Sequence, residues 1–111
     1  MSSDADAATR REIQLLEHNM QQLLMQRQSM QFELNELTNA LNELSKTKDD
    51  VYRVMGNIMM HANKTDLQKE LDERKKSLEI HMQAIERQEK LLEGKRTQIQ
   101  QSSVDKSQKH K

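Results

Sequence analysis

Apolar residues recur at alternating intervals of three and four over residues 13–44, stop for about twenty residues, and resume over residues 67–99. This spacing places an apolar stripe along one side of a helix and is typical of coiled coils. The pattern therefore predicts one helix over residues 10–46 and another over residues 66–101. The first stripe has a single polar member and consists of Ile13, Leu16, Met20, Leu23, Arg27, Met30, Leu34, Leu37, Leu41 and Leu44.

The second stripe is less regular than the first. At its start, Thr65 and Gln68 match a capping box, in which the Thr65 hydroxyl is predicted to accept the backbone N–H of residue 68. An apolar residue then occupies every seventh position, at Leu71, Leu78, Ile85, Leu92 and Ile99. The intervening seam positions are expected to be Leu67, Arg74, His81, Gln88 and Lys95, of which only the first is apolar. Met82 and Leu91 widen the stripe on either side.

Residues 51–61, VYRVMGNIMMH, interrupt the helical pattern with a β-hairpin signal. A two-residue turn at Gly56 and Asn57 suits the type II′ geometry, because glycine at the first turn position supplies the positive φ. The hairpin is predicted over residues 51–62. A chain that runs helix, hairpin, helix must fold back on itself. We therefore predict a mainly α fold, an antiparallel two-helix coiled coil with a β-hairpin at its closed end.

An isolated two-stranded hairpin is marginally stable in water, and its outer edges are free to pair. The predicted turn sets Val54 opposite Met59 and Tyr52 opposite His61 on one face, and Met55 opposite Ile58 on the other. Both faces are largely apolar, so neither is a natural solvent face. We expect hairpins from several chains to close into a shared sheet or barrel, which supplies the missing core. The residues predicted to carry this oligomerisation are Val51, Tyr52, Val54, Met55, Ile58, Met59 and Met60.

Arg27 is the polar member of the first stripe. Folding back about the hairpin places it near Ile85, within reach of Glu86 or Glu89. A solvated ion pair that sets the register of the two helices is the simplest use for such a residue.

Composition narrows the functional classes. The chain has 18 basic and 18 acidic residues, a balance that argues against nucleic acid as a partner. It has no cysteine, which excludes a disulfide framework and a cysteine nucleophile. Its four histidines are dispersed, so no metal site is predicted. Its carboxylates are abundant on the predicted solvated faces, but nothing in the pattern gathers two of them with a nucleophile in a pocket. We therefore expect no enzyme activity and no cofactor.

The sequence shows no signal for a membrane or for secretion, and its two ends lack the helical pattern. No apolar stretch approaches the roughly 20 residues of a membrane span, and the N-terminal residues lack the apolar segment of a signal peptide. We therefore expect a cytoplasmic protein with no membrane partner. Residues 1–9 and 102–111 show no apolar period and are predicted to be disordered, with the folded domain over residues 10–101.

The order of these segments resembles the beta class of prefoldin subunits. The resemblance covers about residues 12–100, and its most specific parts are VYRVMGNI at residues 51–58 and Leu-Glu-Ile at residues 78–80. Alpha-class subunits are similar but carry two hairpins, whereas one is predicted here. Two departures from the family pattern are the methionine-rich strands and the interruption of the seam by Arg27.

The resemblance implies a hexamer of two alpha-class and four beta-class subunits, in which the hairpins build a β-barrel and the coiled coils extend from it as tentacles. Family members hold unfolded client proteins at the tentacle tips and pass them to a group II chaperonin without ATP.

At the open end of the coiled coil, one two-helix seam cannot cover every apolar side chain, and exposed apolar groups call for a functional reason. Methionine adapts to irregular partners, which suits a site for varied clients. The alternative interpretation is that these are ordinary seam residues and scattered surface residues. The predicted client-binding residues are Ile13, Leu15, Leu16, Met20, Leu91, Leu92 and Ile99.

Two functions from different classes are thus compatible with the sequence. The first is an ATP-independent chaperone subunit. The second is a structural coiled-coil adaptor that binds one defined partner. The breadth of clients distinguishes them, because a chaperone suppresses aggregation of several unrelated proteins and an adaptor does not.

Overall fold

The computed structural model of the chain describes residues 3–109. Two long helices flank a hairpin, in the order α1 (Ser3–Lys46), β1 (Val51–Met55), β2 (Ile58–Ala62) and α2 (Lys64–Lys109). This order confirms the predicted succession of helix, hairpin and helix. The chain divides into two compact units. The terminal unit comprises the described parts of residues 1–28 and 83–111, and the hairpin unit comprises residues 29–82.

Both helices are longer than the sequence pattern predicts. Helix α1 begins at Ser3, within the expected disordered leader, and α2 continues to Lys109, through most of the expected disordered tail. Two acidic residues, Asp4 and Asp6, lie in the first turn of α1, where carboxylates favour the positive end of the helix dipole. The leader is also rich in alanine, the strongest helix former, and no proline stops α2. Residues 1, 2, 110 and 111 lie outside the described part.

The residue that caps α2 is Asn63, and the prediction of Thr65 as the cap is wrong. The side-chain oxygen Oδ1 of Asn63 accepts a hydrogen bond of 3.1 Å from the backbone N–H of Asp66. Its carbonyl oxygen accepts a second hydrogen bond of 2.9 Å, from the backbone N–H of Leu67. Asparagine is among the preferred N-cap residues, and the helix therefore starts at Lys64, two residues before the predicted start at residue 66.

Removing the cap tests this assignment. We expect Asn63→Ala to lower the free energy of unfolding by about 1 kcal/mol, because one backbone N–H of the first turn loses its acceptor. Thr65→Ala is the matched control and should change stability by only a few tenths of a kcal/mol. Thermal unfolding of both variants followed by circular dichroism measures the difference, and a larger loss for Thr65→Ala would contradict the assignment.

The apolar stripe of α1 is confirmed. All ten of its positions are buried or half-buried. The buried core of the terminal unit consists of Leu16 and Ile85, and that of the hairpin unit consists of Leu37, Leu44 and Met82. Each core is thin, as expected where only two helices pack together. So few buried side chains stabilise a single chain only weakly.

Leu67, the first companion position predicted for α2, is half-buried, but the other four differ from the prediction. Arg74, His81, Gln88 and Lys95 are exposed. The protected side chains lie one residue further along, at Gln68, Lys75, Met82, Glu89 and Arg96. Between two apolar residues seven apart, the companion position can lie three or four residues after the first. In α2 the packing places it four residues after, as at Lys75 between Leu71 and Leu78. Long side chains such as Lys75 and Arg96 tolerate this position because their aliphatic stems can cover apolar surface while the charge reaches water.

The two helices run antiparallel within the hairpin unit. Next to the hairpin, Lys64 Nζ donates a hydrogen bond of 2.8 Å to the carbonyl oxygen of Thr47. Further along α2, Arg74 Nε donates one of 3.1 Å to Oε1 of Glu33, which lies earlier in α1. The contacts therefore move back along one helix as they move forward along the other, as the fold prediction requires.

The register of the hairpin agrees with the prediction at every pair. Strand β1 pairs antiparallel with β2, with Val54 opposite Met59 and Tyr52 opposite His61. Gly56 has a φ of 60°, and no other residue type has a positive φ in the described part of the chain. Positive φ at the first turn position alone is the signature of a type II′ turn, whose twist matches that of the strands.

Candidate functional site

Apolar side chains are exposed along the whole hairpin. Six of them have between 52% and 68% of their surface exposed: Tyr52, Val54, Met55, Ile58, Met59 and Met60. Val51, the seventh residue predicted to carry oligomerisation, is half-buried. Because strand residues alternate between faces, these side chains occupy both sides of the two-stranded sheet. Exposed apolar surfaces of this kind are typical of interaction sites.

One face of the hairpin is tied to helix α2. Arg53 in β1 donates a hydrogen bond of 2.6 Å from Nη2 to Oε1 of Glu70. This hydrogen bond lowers the pKa of the Glu70 carboxyl and raises that of Arg53, so the pair stays ionised at neutral pH. Arg74 adds a further attraction to Glu70 and itself pairs with Glu33. The only charged side chain within the two strands therefore has a partner in the same unit.

On the other face, Tyr52 and His61 meet edge to face, with ring centroids 5.5 Å apart. His61 Nε2 also lies 3.6 Å from Oδ1 of Asp50. An aromatic cross-strand pair of this kind stabilises a hairpin and its register.

The hairpin forms a sheet of two strands in the described part of the chain, so each strand has one edge without a backbone partner there. Unpaired edges with apolar side chains accept strands from other chains. The geometry thus fits addition of strands at either edge.

The terminal unit contains a groove of about 320 Å³ between its two helical segments. Leu23, Leu91 and Leu92 supply its apolar surface. Four carboxamides and one ammonium group complete the lining: Asn19, Gln22, Gln26, Gln88 and Lys95. A carboxamide both donates and accepts hydrogen bonds, as a peptide group does. The groove can therefore contact apolar side chains and peptide groups at once.

The structure places the predicted client-binding residues at three levels of exposure. Leu15 and Leu91 are exposed, and Leu16 is buried in the seam. The remaining four, Ile13, Met20, Leu92 and Ile99, are half-buried. Only Leu91 and Leu92 belong to the groove.

Sequence reasoning missed the polar lining of the groove. The signal was present, since Asn19, Gln22 and Gln26 follow a spacing of three and four along one side of α1. Polar residues next to a seam usually indicate only a solvated helix face, and packing of the two helices is needed to bring the amides together.

Arg27 pairs with Glu89, one of the two partners predicted for it. Its Nε lies 2.9 Å from Oε1 of Glu89, and both side chains are half-buried within the terminal unit. Glu89 occupies one of the corrected seam positions of α2, so the ion pair spans the seam. A shift of one heptad would place Glu89 opposite Met20 or Leu34 of the α1 stripe, so the ion pair disfavours such registers.

A double-mutant cycle measures this pair. We expect Arg27→Ala and Glu89→Ala to show a coupling of about 0.5–1 kcal/mol in the free energy of unfolding, which is the upper range for partly exposed ion pairs. Raising the salt concentration should reduce the coupling. Arg74→Ala combined with Glu89→Ala serves as the control, because these two residues have no mutual contact and their effects should add.

Among the residues that the structure describes, no cluster of three or more histidine and carboxylate side chains could hold a metal ion. The same part of the chain has no helix with an apolar stretch sufficient to cross a membrane.

Comparison with known proteins identifies the family. A family model described as "Prefoldin subunit" matches residues 10–110. The prefoldin subunit beta of Archaeoglobus fulgidus is 35% identical over 92 residues, which cover 81% of this chain and 79% of that protein. The prefoldin subunit beta of Methanococcoides burtonii is 36% identical over 92 residues, with the same two coverages. The chain belongs to the prefoldin beta-subunit family.

A solved structure agrees with this assignment. The crystal structure of the prefoldin beta subunit from Thermococcus strain KS-1 matches with a TM-score of 0.81 and 28% identity, over 86% of each chain. The resemblance inferred from the hairpin sequence and the second helix is thus confirmed. Prefoldin is a family of chaperones and not of enzymes, so this chain is a chaperone subunit. Membership also implies assembly with other prefoldin subunits.

Proposed function

We propose that this prefoldin subunit holds unfolded proteins without ATP and delivers them to a group II chaperonin in the cytoplasm. It does so within a hexamer of two alpha-class and four beta-class subunits. The family match over residues 10–110 carries this proposal. The exposed hairpin and the groove of the terminal unit support a division of the chain into a part for assembly and a part for holding.

The hairpin is the proposed site of assembly. Its apolar side chains are exposed on both faces, and its strands have free edges within the described chain. Pairing these edges with hairpins of other subunits would satisfy the backbone groups and cover the apolar side chains together. A closed intersubunit β-barrel achieves both, because closure leaves no edge.

The terminal unit is the proposed site of client binding. Leu15 and Leu91 are exposed there, and Leu91 borders the amide-lined groove. An unfolded client offers apolar side chains and peptide groups in no fixed geometry. The leucines can contact the apolar side chains of the client, and the carboxamides can exchange hydrogen bonds with its peptide groups. Because neither interaction depends on a particular client sequence, the site suits many clients.

Independence from ATP is consistent with the sequence. A phosphate-binding loop requires two glycines at defined spacing followed by lysine. The chain has two glycines, Gly56 in the hairpin turn and Gly94 in α2, far apart from each other. Release of a client then depends on competition from the chaperonin and not on nucleotide hydrolysis.

A test of client breadth separates the chaperone from the adaptor. We expect the complex of this chain with an alpha-class subunit to suppress aggregation of several unrelated unfolded proteins, measured by light scattering, equally with and without ATP. The alpha-class subunit alone at the same concentration is the control. Protection of one protein and none of the others would favour the adaptor, whose site recognises one defined partner.

A further inference from the structure

The hairpin carries three methionines, and an assembly role alone does not require this residue type. Met55, Met59 and Met60 are 58%, 68% and 52% exposed. Leucine has a similar volume, packs in apolar interfaces and resists oxidation. A thioether is more flexible and polarisable than a branched alkyl side chain, and unlike an alkyl side chain it can be oxidised.

The methionines are distributed over both faces of the sheet. Met59 lies opposite Val54, and Met55 lies opposite Ile58. Because neighbouring strand residues point to opposite faces, Met59 is on one face, and Met60 shares the other face with Met55. A partner that covers either face therefore meets at least one thioether.

Peroxide chemistry acts directly on such a group. When hydrogen peroxide reacts with a methionine, its O–O bond breaks and one oxygen forms a bond to Sδ, which loses two electrons. The other oxygen leaves as water. The product, methionine sulfoxide, is polar, and reductases convert it back to the thioether. A sulfoxide oxygen without a hydrogen-bond donor opposes burial in an apolar contact.

We propose that Met55, Met59 and Met60 form a redox-sensitive modification site that controls assembly. In the free chain the three thioethers are open to peroxide, and their sulfoxides exclude the subunit from the hexamer. In the assembled subunit, partner hairpins cover them and slow the reaction. This inference rests on the proposed assembly role of the hairpin.

The experiment uses the full chain. The free chain is treated with hydrogen peroxide, the peroxide is removed with catalase, and oxidation at each methionine is mapped by peptide mass spectrometry. The treated chain is then mixed with untreated alpha-class subunit, and the mass of the complex is measured in solution. We expect sulfoxide at all three hairpin positions and an affinity for the partner at least about tenfold weaker.

Two variants locate the effect. The triple variant Met55→Leu, Met59→Leu, Met60→Leu should assemble equally well before and after treatment. Met25→Leu is the matched control, since Met25 is 60% exposed but lies in α1 outside the hairpin. That variant should remain as sensitive as the parent chain.

The proposal is overturned if the parent chain assembles normally with all three positions oxidised, or if the triple variant loses assembly on treatment as the parent does. Should the untreated triple variant not assemble, methionine sulfoxide reductases applied to the oxidised parent decide the matter. Recovery of the complex supports the proposal, and removal of the sulfoxides without recovery contradicts it.

A separate variant, Val54→Asp, tests the hairpin as the interface. If this variant assembles normally, the proposed assembly role of the hairpin fails. If Val54→Asp prevents assembly but oxidation of the parent chain does not, only the proposed redox control fails.

Discussion

A single carboxylate on the hairpin is expected to release the subunit from its assembly. Val54→Asp or Met59→Asp introduces a charge that a partner hairpin would have to bury without a counter-ion. Such burial costs several kcal/mol, and each 1.4 kcal/mol or so weakens an affinity about tenfold. We therefore expect assembly weaker by more than about a thousandfold. Both side chains are exposed in the single chain, so the helix content measured by circular dichroism should stay close to that of the parent.

The matched control for these variants is Ile80→Asp. Ile80 and Val54 are each 65% exposed, and both belong to the hairpin unit, but Ile80 lies on α2. The same charge at this position should leave the mass of the complex unchanged. If Val54→Asp and Met59→Asp also keep the parental mass in solution, the hairpin is not the interface.

Removal of both chain ends is expected to abolish protection of unfolded proteins and to spare the oligomer. A variant lacking residues 1–20 and 92–111 loses most of the predicted client-binding residues and part of the groove lining. It retains the whole hairpin unit, residues 29–82, and the pair of Arg27 and Glu89. Light scattering of aggregating clients measures protection, and mass in solution measures assembly. An assembled truncated variant that protects clients as well as the full chain does would contradict client binding by the ends.

Single replacements in the terminal unit are expected to have partial effects. A fully buried leucine contributes about 2 kcal/mol, and Leu15→Ser removes one contact among many in a multivalent site. Leu15→Ser with Leu91→Ser should weaken holding more than either change alone. Phe32→Ser is the control, because Phe32 is exposed to a similar extent but lies in the hairpin unit. Complete loss of holding from one replacement would indicate a single defined pocket and favour the adaptor.

The hairpin could be predicted from the sequence because its geometry is local. Gly56 at the first turn position permits the positive φ of a type II′ turn, and a two-residue turn leaves one register for the strands. The apolar stripe of α1 could also be predicted from the sequence, because nine of its ten positions are apolar. The tenth, Arg27, pairs with Glu89, one of its two predicted partners.

The start and the seam of α2 required the tertiary structure. Asn63 and Thr65 are both acceptable caps, and the choice between them depends on where the chain leaves β2. The companion positions of the α2 seam could not be identified from the sequence, because Met82 is the only apolar residue among those that the structure protects. Polar residues carry no periodic signal, so the side on which they lie follows from packing against α1.

The sequence by itself determined the order of the elements, the register of the hairpin, the seam of α1 and the resemblance to prefoldin beta subunits, because each rests on residues close together in the chain. The tertiary structure decided which polar side chains of α2 lie on the seam, which glutamate pairs with Arg27, and that four carboxamides line a groove beside Leu91. It also showed that the apolar hairpin side chains remain exposed in the single chain. The seam of α2, the ion pair and the groove join residues distant in sequence, and only the packing of α1 against α2 brings such residues together.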